Sequence, residues 1–280
     1  MWACVSKNRT FFCVFILCFF LESSTFGFYS RVFEPRLSAR SAIVVDSQNG
    51  HILYSKNAFI KLPPASTAKV MTAVLALERL PWDGKVLLSE RAVNTSPSKA
   101  GLSQNVQYAV KDLILAVLVS SSNDAAVGLS EAVSGSEAGF VDSMNEKARQ
   151  LGMANTRFAN ATGLPTRGRF SQYSTAYDLS ILMRYALRDP RLDPLMGVTT
   201  AFICGSDGKW IFIKSHNKML WRNPGFVKGK TGWTCASRHT FVGTDYAANK
   251  KIVFAMLSSK KPWLDIERLA TFGLLLKRRG

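Results

Sequence analysis

Three short stretches carry residue types whose spacing suits chemistry. Ser66-Thr67-Ala68-Lys69 opens a helical pattern just after Pro64. Residues three apart on a helix share a face, so the Lys69 amine can reach the Ser66 hydroxyl. A serine hydroxyl is a poor nucleophile until a base takes its proton. A lysine serves as that base only when burial or a second cation lowers its pKa. On its own the tetrapeptide reads more simply as an N-cap serine followed by a solvated lysine. Ser121-Ser122-Asn123 follows the apolar run 113–119. It either brings hydroxyls and an amide to a lobe boundary or caps a helix end. Lys230-Thr231-Gly232 precedes a strand-rich final segment. A strand edge with a lysine, a hydroxyl and a glycine can hold an anionic group and admit a substrate backbone closely. The stretch 225–231 nearly spells a phosphate-binding loop, but it has three residues between its glycines instead of four, and β-type sequence follows where a helix is needed. That reading is rejected.

The elements that must position these residues follow from periodicity. Residues 41–46 and 51–55 are β-rich runs around Asn49-Gly50, the pattern of a hairpin. A helix is predicted from Ser66 through Val70, Ala73, Val74 and Leu77. Ser136 is expected to cap a helix with the stripe Phe140, Met144, Ala148 and Leu151, ending at Gly152. Ser174 is expected to cap another that carries Leu179, Leu182, Met183 and Ala186. Residues 240–244 and 252–257 read as strands, the second buried on both faces. A last helix places Ile266, Leu269 and Leu274 on one side and ends in Lys277-Arg278-Arg279, charges that suit a helix C-terminus. With strands at both ends and helices between, the chain should form one mixed domain. Its terminal strands would share a sheet and its middle helices would make a second lobe.

The chain has 280 residues, a net charge of +17 and 47% hydrophobic residues, too apolar for a disordered protein. Residues 1–27 have the layout of a secretory signal: Lys7 and Arg9, an apolar stretch of 11 residues over 11–21, then small residues before Gly27. As a helix that stretch reaches about 16 Å, short of a hydrocarbon core of about 30 Å. Export takes Lys7, Arg9 and Glu22 with it, so the charge of +17 becomes +16 and belongs to the folded part. It also removes Cys4, Cys13 and Cys18, leaving Cys204 and Cys235, whose pairing the sequence leaves open. The charge points to an anionic membrane or wall surface. Export to the periplasm or the outer face of a bacterial cytoplasmic membrane argues against nucleic acid.

S-x-x-K, S-x-N and K-T-G in this order are the signature of the penicillin-interacting serine enzymes. The stretch 64–73 resembles the nucleophile segment of low-molecular-mass penicillin-binding proteins, the serine D-Ala-D-Ala carboxypeptidases. So do 42–46 with Asn49-Gly50 and Leu53-Tyr54, residues 122–126, and Leu151-Gly152-Met153 with Thr156, Phe158, Asn160, Gly163 and Leu164. Ser174-Thr175-Ala176 with Asp178-Leu179 matches the family too. The resemblance spans about residues 38–276 and implies an α+β fold: an antiparallel sheet flanked by helices, plus an all-helical lobe. As a departure from many relatives, the chain is expected to be a single catalytic domain over 28–280, without their β-rich second domain and amphipathic anchor.

By that resemblance Ser66 is the nucleophile, forming an acyl-enzyme with the penultimate D-Ala of a peptidoglycan stem peptide, and β-lactam antibiotics acylate it. Lys69 is the general base, and Ser121 relays a proton to the leaving D-Ala. Asn123 orients the substrate backbone and helps fix Lys69. Lys230 keeps Lys69 neutral and attracts the terminal carboxylate, which Thr231 also binds beside Gly232. The N–H groups of Ser66 and Trp233 form the oxyanion hole, a contact worth about 3–4 kcal/mol per donor. No metal or cofactor is required. Lys251 is the nearest match to the second basic residue that relatives use for the carboxylate. Trp233 stands where tyrosine or histidine is common. A Ser-His-Asp triad would need His51, His216 or His239. Local partners explain His51 and His239 more simply, and His216 lies in a stretch that approaches the cleft in relatives. The leading activity is D,D-carboxypeptidase, with D,D-endopeptidase on cross-links as the alternative. A class A β-lactamase needs a deacylating glutamate, and 152–171 contains no Glu or Asp.

Overall fold

The chain enters its sheet through the expected hairpin. β1 (Ser41–Asp46) pairs antiparallel with β2 (Ile52–Lys56). The Asp46 carboxylate accepts the Gln48 N–H at 2.7 Å, and Gly50 turns the chain at φ 78°, a conformation costly for any residue with a Cβ. The computed structural model describes residues 34–166, 172–222, 227–247 and 250–279. The expected export signal, with Cys4, Cys13 and Cys18, lies outside the described residues.

Next comes a 3-10 turn, Ala65–Ala68, which runs directly into α1 (Lys69–Arg79). The predicted helix therefore starts one tight turn early, with Ser66 in the 3-10 segment. After α1 come β3 (Lys85–Leu87), α2 (Glu90–Val93), β4 (Gln107–Ala109), α3 (Val110–Val119), α4 (Asn123–Ser134) and α5 (Glu137–Gln150). Residues 69–77 of α1 are all buried, so this helix is the axis of the helical lobe rather than one of its faces. Its Met71 and Leu75 share a core with Leu113, Ile114, Val117, Leu129, Phe140 and Met144. Ser136 caps α5 as expected, its Oγ accepting the Gly139 N–H at 3.2 Å, a bond worth about 1 kcal/mol.

α6 (Ala176–Ala186) and α7 (Leu192–Leu195) return the chain to the sheet. The cap of α6 is Thr175, whose Oγ1 accepts the Asp178 N–H at 3.0 Å. Ser174, the predicted cap, is a residue too early, because its backbone is committed to bridging Leu62. β5 (Thr200–Cys204) and β6 (Trp210–Lys214) make a separate two-stranded ribbon. They are followed by α8 (Lys218–Arg222), β7 (Val227–Thr234), β8 (Arg238–Ala247), β9 (Lys250–Ser259) and α9 (Pro262–Arg279).

Among the described residues the main sheet has the order β2-β1-β9-β8-β7, antiparallel throughout. The first and last thirds of the chain thus share one sheet, as the sequence pattern implied. Residues 252–257 of β9 are all 0% exposed, which is why that strand reads as an unbroken apolar run. Val253, Ala255 and Leu257 join the core of the helical lobe, whereas Ile252 and Val44 lie against Gly273 of α9. Different helices therefore cover the two faces. The buried Asp265 of α9 fixes the chain's entry, accepting from the Ser38 and Ala39 N–H groups at 3.0 and 2.9 Å and from the Ser259 hydroxyl at 2.6 Å. Cys204 and Cys235 are free thiols.

Candidate active site

The nucleophile candidate is set by the joint between the 3-10 turn and α1. Side chains at i and i+3 eclipse in a 3-10 turn, so Ser66 and Lys69 face each other more directly than on an α-helix. Lys69 Nζ donates to Ser66 Oγ at 3.1 Å and to the Thr162 carbonyl at 2.6 Å. Ala65, just before the serine, sits at φ 48°, a strained region for a residue with a Cβ. Two glycines hold that strain from outside. A Cβ on Gly163 would fall 2.0 Å from the Ala65 oxygen, and one on Gly232 would fall 2.8 Å from the Ser66 nitrogen. The Thr240 and Thr67 hydroxyls both donate to the Pro64 carbonyl, at 3.0 and 2.7 Å, and pin the turn to the sheet.

Lys69 is 0% exposed, and so is Lys230 on β7. Burial, reinforced by the Lys230 charge, pushes the Lys69 pKa well below its usual range, while Asp124 acts weakly in the other direction. Burial lowers Lys230 itself to about 7. Its ammonium donates to the Thr231 carbonyl at 2.7 Å. A lysine with a depressed pKa, in contact with a partly exposed serine hydroxyl, is equipped to act as a base.

The S-x-N stretch occupies the break between α3 and α4. Ser121 is 4% exposed and lies at φ 59°, another left-handed position without a glycine. Asn123 Nδ2 donates to the Pro97 carbonyl, and its buried Oδ1 has no partner among the described residues. A buried acceptor left open costs free energy unless something else fills it, so Asn123 presents a site for a donor. The expected link from Asn123 to Lys69 is not made. The Thr162 carbonyl holds Lys69 instead.

β7 is an edge strand of the sheet, paired to β8 on one side with Thr231 opposite Phe241 and Trp233 opposite His239. Its other edge can take an extended peptide by main-chain pairing. Trp233 is 58% exposed, and its ring lies 6.4 Å from that of His239. His216 belongs to the cleft rim: the surrounding protein and the charges of Lys230 and then Lys69 lower its pKa. His51 is exposed in the hairpin turn.

Lys251 does not join this group. It lies at the opposite end of the sheet, paired with Tyr246 in register, and its ammonium is 3.1 Å from Asp193, which also meets Lys228 at 3.2 Å. Burial would raise the Asp193 pKa, but the charges of Lys251 and Lys228 hold it below the usual value. Lys251 is thus a structural partner of Asp193.

Two supports went unread in the sequence. The first is the loop 160–163, where Asn160 Oδ1 accepts from the Thr162 and Gly163 N–H groups at 3.2 and 2.7 Å and so aims the Thr162 carbonyl at Lys69. An asparagine three residues before a glycine is the signal for such a turn. The second is Asp124, whose carboxylate accepts from the N–H groups of Ala100, Gly101 and Leu102 at 3.1, 3.0 and 3.2 Å. It draws the loop after Pro97 over the S-x-N stretch. Nothing in the spacing of 97–102 marks it as the partner.

A serine faced by a buried lysine, on an antiparallel sheet joined to a helical lobe, defines the class of the penicillin-interacting serine peptidases. The sequence profile of the D-alanyl-D-alanine carboxypeptidase family (Peptidase_S11) matches residues 29–261, and the chain belongs to that family. It is 30% identical to the D-alanyl-D-alanine carboxypeptidase DacF of Bacillus subtilis over 237 residues, 83% of this chain and 60% of that one. It is also 30% identical to a D-alanyl-D-alanine endopeptidase of Escherichia coli, over 85% of this chain and 78% of that one. A solved penicillin-binding protein homologue of Mycobacterium tuberculosis superposes with a TM-score of 0.83 at 30% identity, covering 90% of this chain and 97% of that one.

Proposed function

We propose that the chain is a serine D,D-carboxypeptidase that removes the terminal D-Ala from peptidoglycan stem pentapeptides outside the cytoplasm. The observation that carries this is the buried Lys69 ammonium 3.1 Å from Ser66 Oγ, its pKa held down by burial and by Lys230. With Lys69 neutral, the Ser66 proton passes to its amine as Oγ bonds to the carbonyl carbon of the penultimate D-Ala. The Ser66 and Trp233 N–H groups receive the oxyanion. The C–N bond to the last D-Ala breaks, and its nitrogen takes the proton by way of Ser121. Water then cleaves the ester and frees Ser66. Asn123 Oδ1 accepts a donor from the substrate backbone. Lys230 and Thr231 meet the terminal carboxylate, and Gly232 lets the peptide lie against β7. β-Lactams enter the same acylation and stall at the ester. None of these steps needs a metal or a cofactor.

The relation to the Escherichia coli endopeptidase favours a second reading, in which the same machinery cuts D,D-cross-links. Labelled penicillin followed by pentapeptide, on wild type and Ser66→Ala, tests the first. Wild type should be acylated and release D-Ala, and the variant should lose both by about 10⁴-fold. An unlabelled wild type, or D-Ala release that survives the substitution, overturns it. A cross-linked dimer peptide cleaved faster than the pentapeptide selects the second reading.

A further inference from the structure

The ribbon of β5 and β6 carries a feature that the peptidase site does not use. Side chains alternate across a strand, and the register sets Phe202 opposite Phe212, Cys204 opposite Trp210 and Thr200 opposite Lys214. These residues therefore share one face. The other face is the core side: Ile203 and Ile213 are 1% and 2% exposed. On the outer face Phe202, Trp210 and Phe212 are 61%, 69% and 54% exposed, and the two phenylalanine rings lie 5.2 Å apart. Single exposed aromatics are ordinary, but three adjoining ones on one face mark an interaction surface.

The chemistry around the patch selects the partner. Lys214 continues the same face, and its ammonium sits 4.7 Å over the ring of the exposed Trp221. Lys209, Lys218 and Arg222 are exposed beside it, while the nearby acid, Asp207, lies 3.6 Å from Lys209. Aromatic rings settle at the boundary between headgroups and acyl chains, and adjacent cations are drawn to anionic headgroups. A second copy of the folded part would bring one charge of +16 against another. A neutral sugar would stack on the rings but leave the cations without a role.

We propose that the outer face of the β5–β6 ribbon docks the protein on an anionic phospholipid surface, with Phe202, Trp210 and Phe212 entering the interface and Lys209, Lys214, Lys218 and Arg222 meeting headgroup phosphates. β6 runs through Ser215 into His216 at the cleft rim, so docking holds the cleft near the lipid. The inference stands apart from the peptidase reading, since no residue of the ribbon belongs to the catalytic group.

The test uses residues 34–280, the compact unit that contains the whole sheet and core. The probe is co-sedimentation with vesicles of phosphatidylglycerol and phosphatidylethanolamine, against phosphatidylcholine alone. Wild type should sediment with the anionic vesicles only and be released in part by salt. Trp210→Ser with Phe212→Ser should weaken binding at least tenfold and leave penicillin acylation unchanged, which also reports that the variant is folded. Trp210→Phe should keep binding but lose most of the fluorescence quenching by brominated lipids. Equal binding to phosphatidylcholine, absence of binding, or binding by the double variant at wild-type strength overturns the proposal. So does self-association that the double variant abolishes.

Discussion

Lys69 and Lys230 are both wholly buried, and the charge of the second presses down the pKa of the first. Two cations brought together without solvent are an expense that a structural role does not explain. The pair makes sense when one lysine must be neutral at working pH while the other stays available to an anion.

The pair predicts opposite shifts from two substitutions. Lys230→Met removes the repulsion, so the Lys69 pKa rises and the acid limb of the acylation profile moves to higher pH. Asp124→Asn removes the charge that raises Lys69, so the same limb moves to lower pH. The second variant also weakens the hold on residues 100–102, at about 1–3 kcal/mol of stability. Acylation rates with a chromogenic β-lactam across pH 5–9 check both. Shifts in one direction for both variants would show that Asp124 acts only through structure.

Stability itself should depend on pH through Lys230. Below about 7 the folded and unfolded lysines are both protonated, and the folded state carries a buried charge. Between about 7 and 10.5 the unfolded lysine keeps its proton and the folded one has lost it, so stability rises with pH across that window. The slope is at most about 1.4 kcal/mol per pH unit for one group. Lys69 adds in the same sense. Asp245, pushed up to about 6 by burial, titrates below the window. Denaturant melts at pH 7, 8 and 9 should show the rise in wild type and a shallower one in Lys230→Met.

Gly232→Ala should act on the site more than on the fold. Its Cβ would lie 2.8 Å from the Ser66 nitrogen and 3.1 Å from the Ala65 Cβ, forcing β7 away from the nucleophile turn. Losing one oxyanion donor costs roughly 10²–10³ in rate, and the overpacking costs about 1–3 kcal/mol in stability. Gly135→Ala is the control: its φ of 72° is strained by a side chain, but nothing lies within 4 Å. That variant should lose about 1 kcal/mol and acylate at the wild-type rate.

Lys251→Ala should leave the KM for pentapeptide within twofold of wild type, because its charge is committed to Asp193 far along the sheet. The ion pair is partly open to solvent, so the stability loss should be about 1 kcal/mol or less. A tenfold rise in KM would return Lys251 to the carboxylate site.

The sheet was legible where burial writes itself into composition. The run 252–257 read as a strand covered on both faces, and the hairpin turn at Asn49-Gly50 marked itself by its residues. Ser66, Lys69 and Lys230 were legible because local spacing and motif order carry them. The Thr162 carbonyl was not, because any residue has a carbonyl and only the fold aims it. Lys251 was misplaced for a related reason: a basic residue on the right strand says nothing about which end of the sheet it occupies. The β5–β6 ribbon went unread because its outward aromatics break the alternation of apolar and polar residues that announces a strand.

The sheet order bears on how this chain comes to be folded at all. β9 is the centre strand, and it pairs Leu257 with Ser41, roughly two hundred residues apart along the chain. Until the last strand has emerged, β1 and β2 have no neighbour except each other, and a lone hairpin is marginal in water. Closing so long a loop is slow, since its entropy must be lost before the pairing rewards it. A hairpin near the start of the chain that waits on a strand near its end leaves the main sheet incomplete until nearly all of the polypeptide is available.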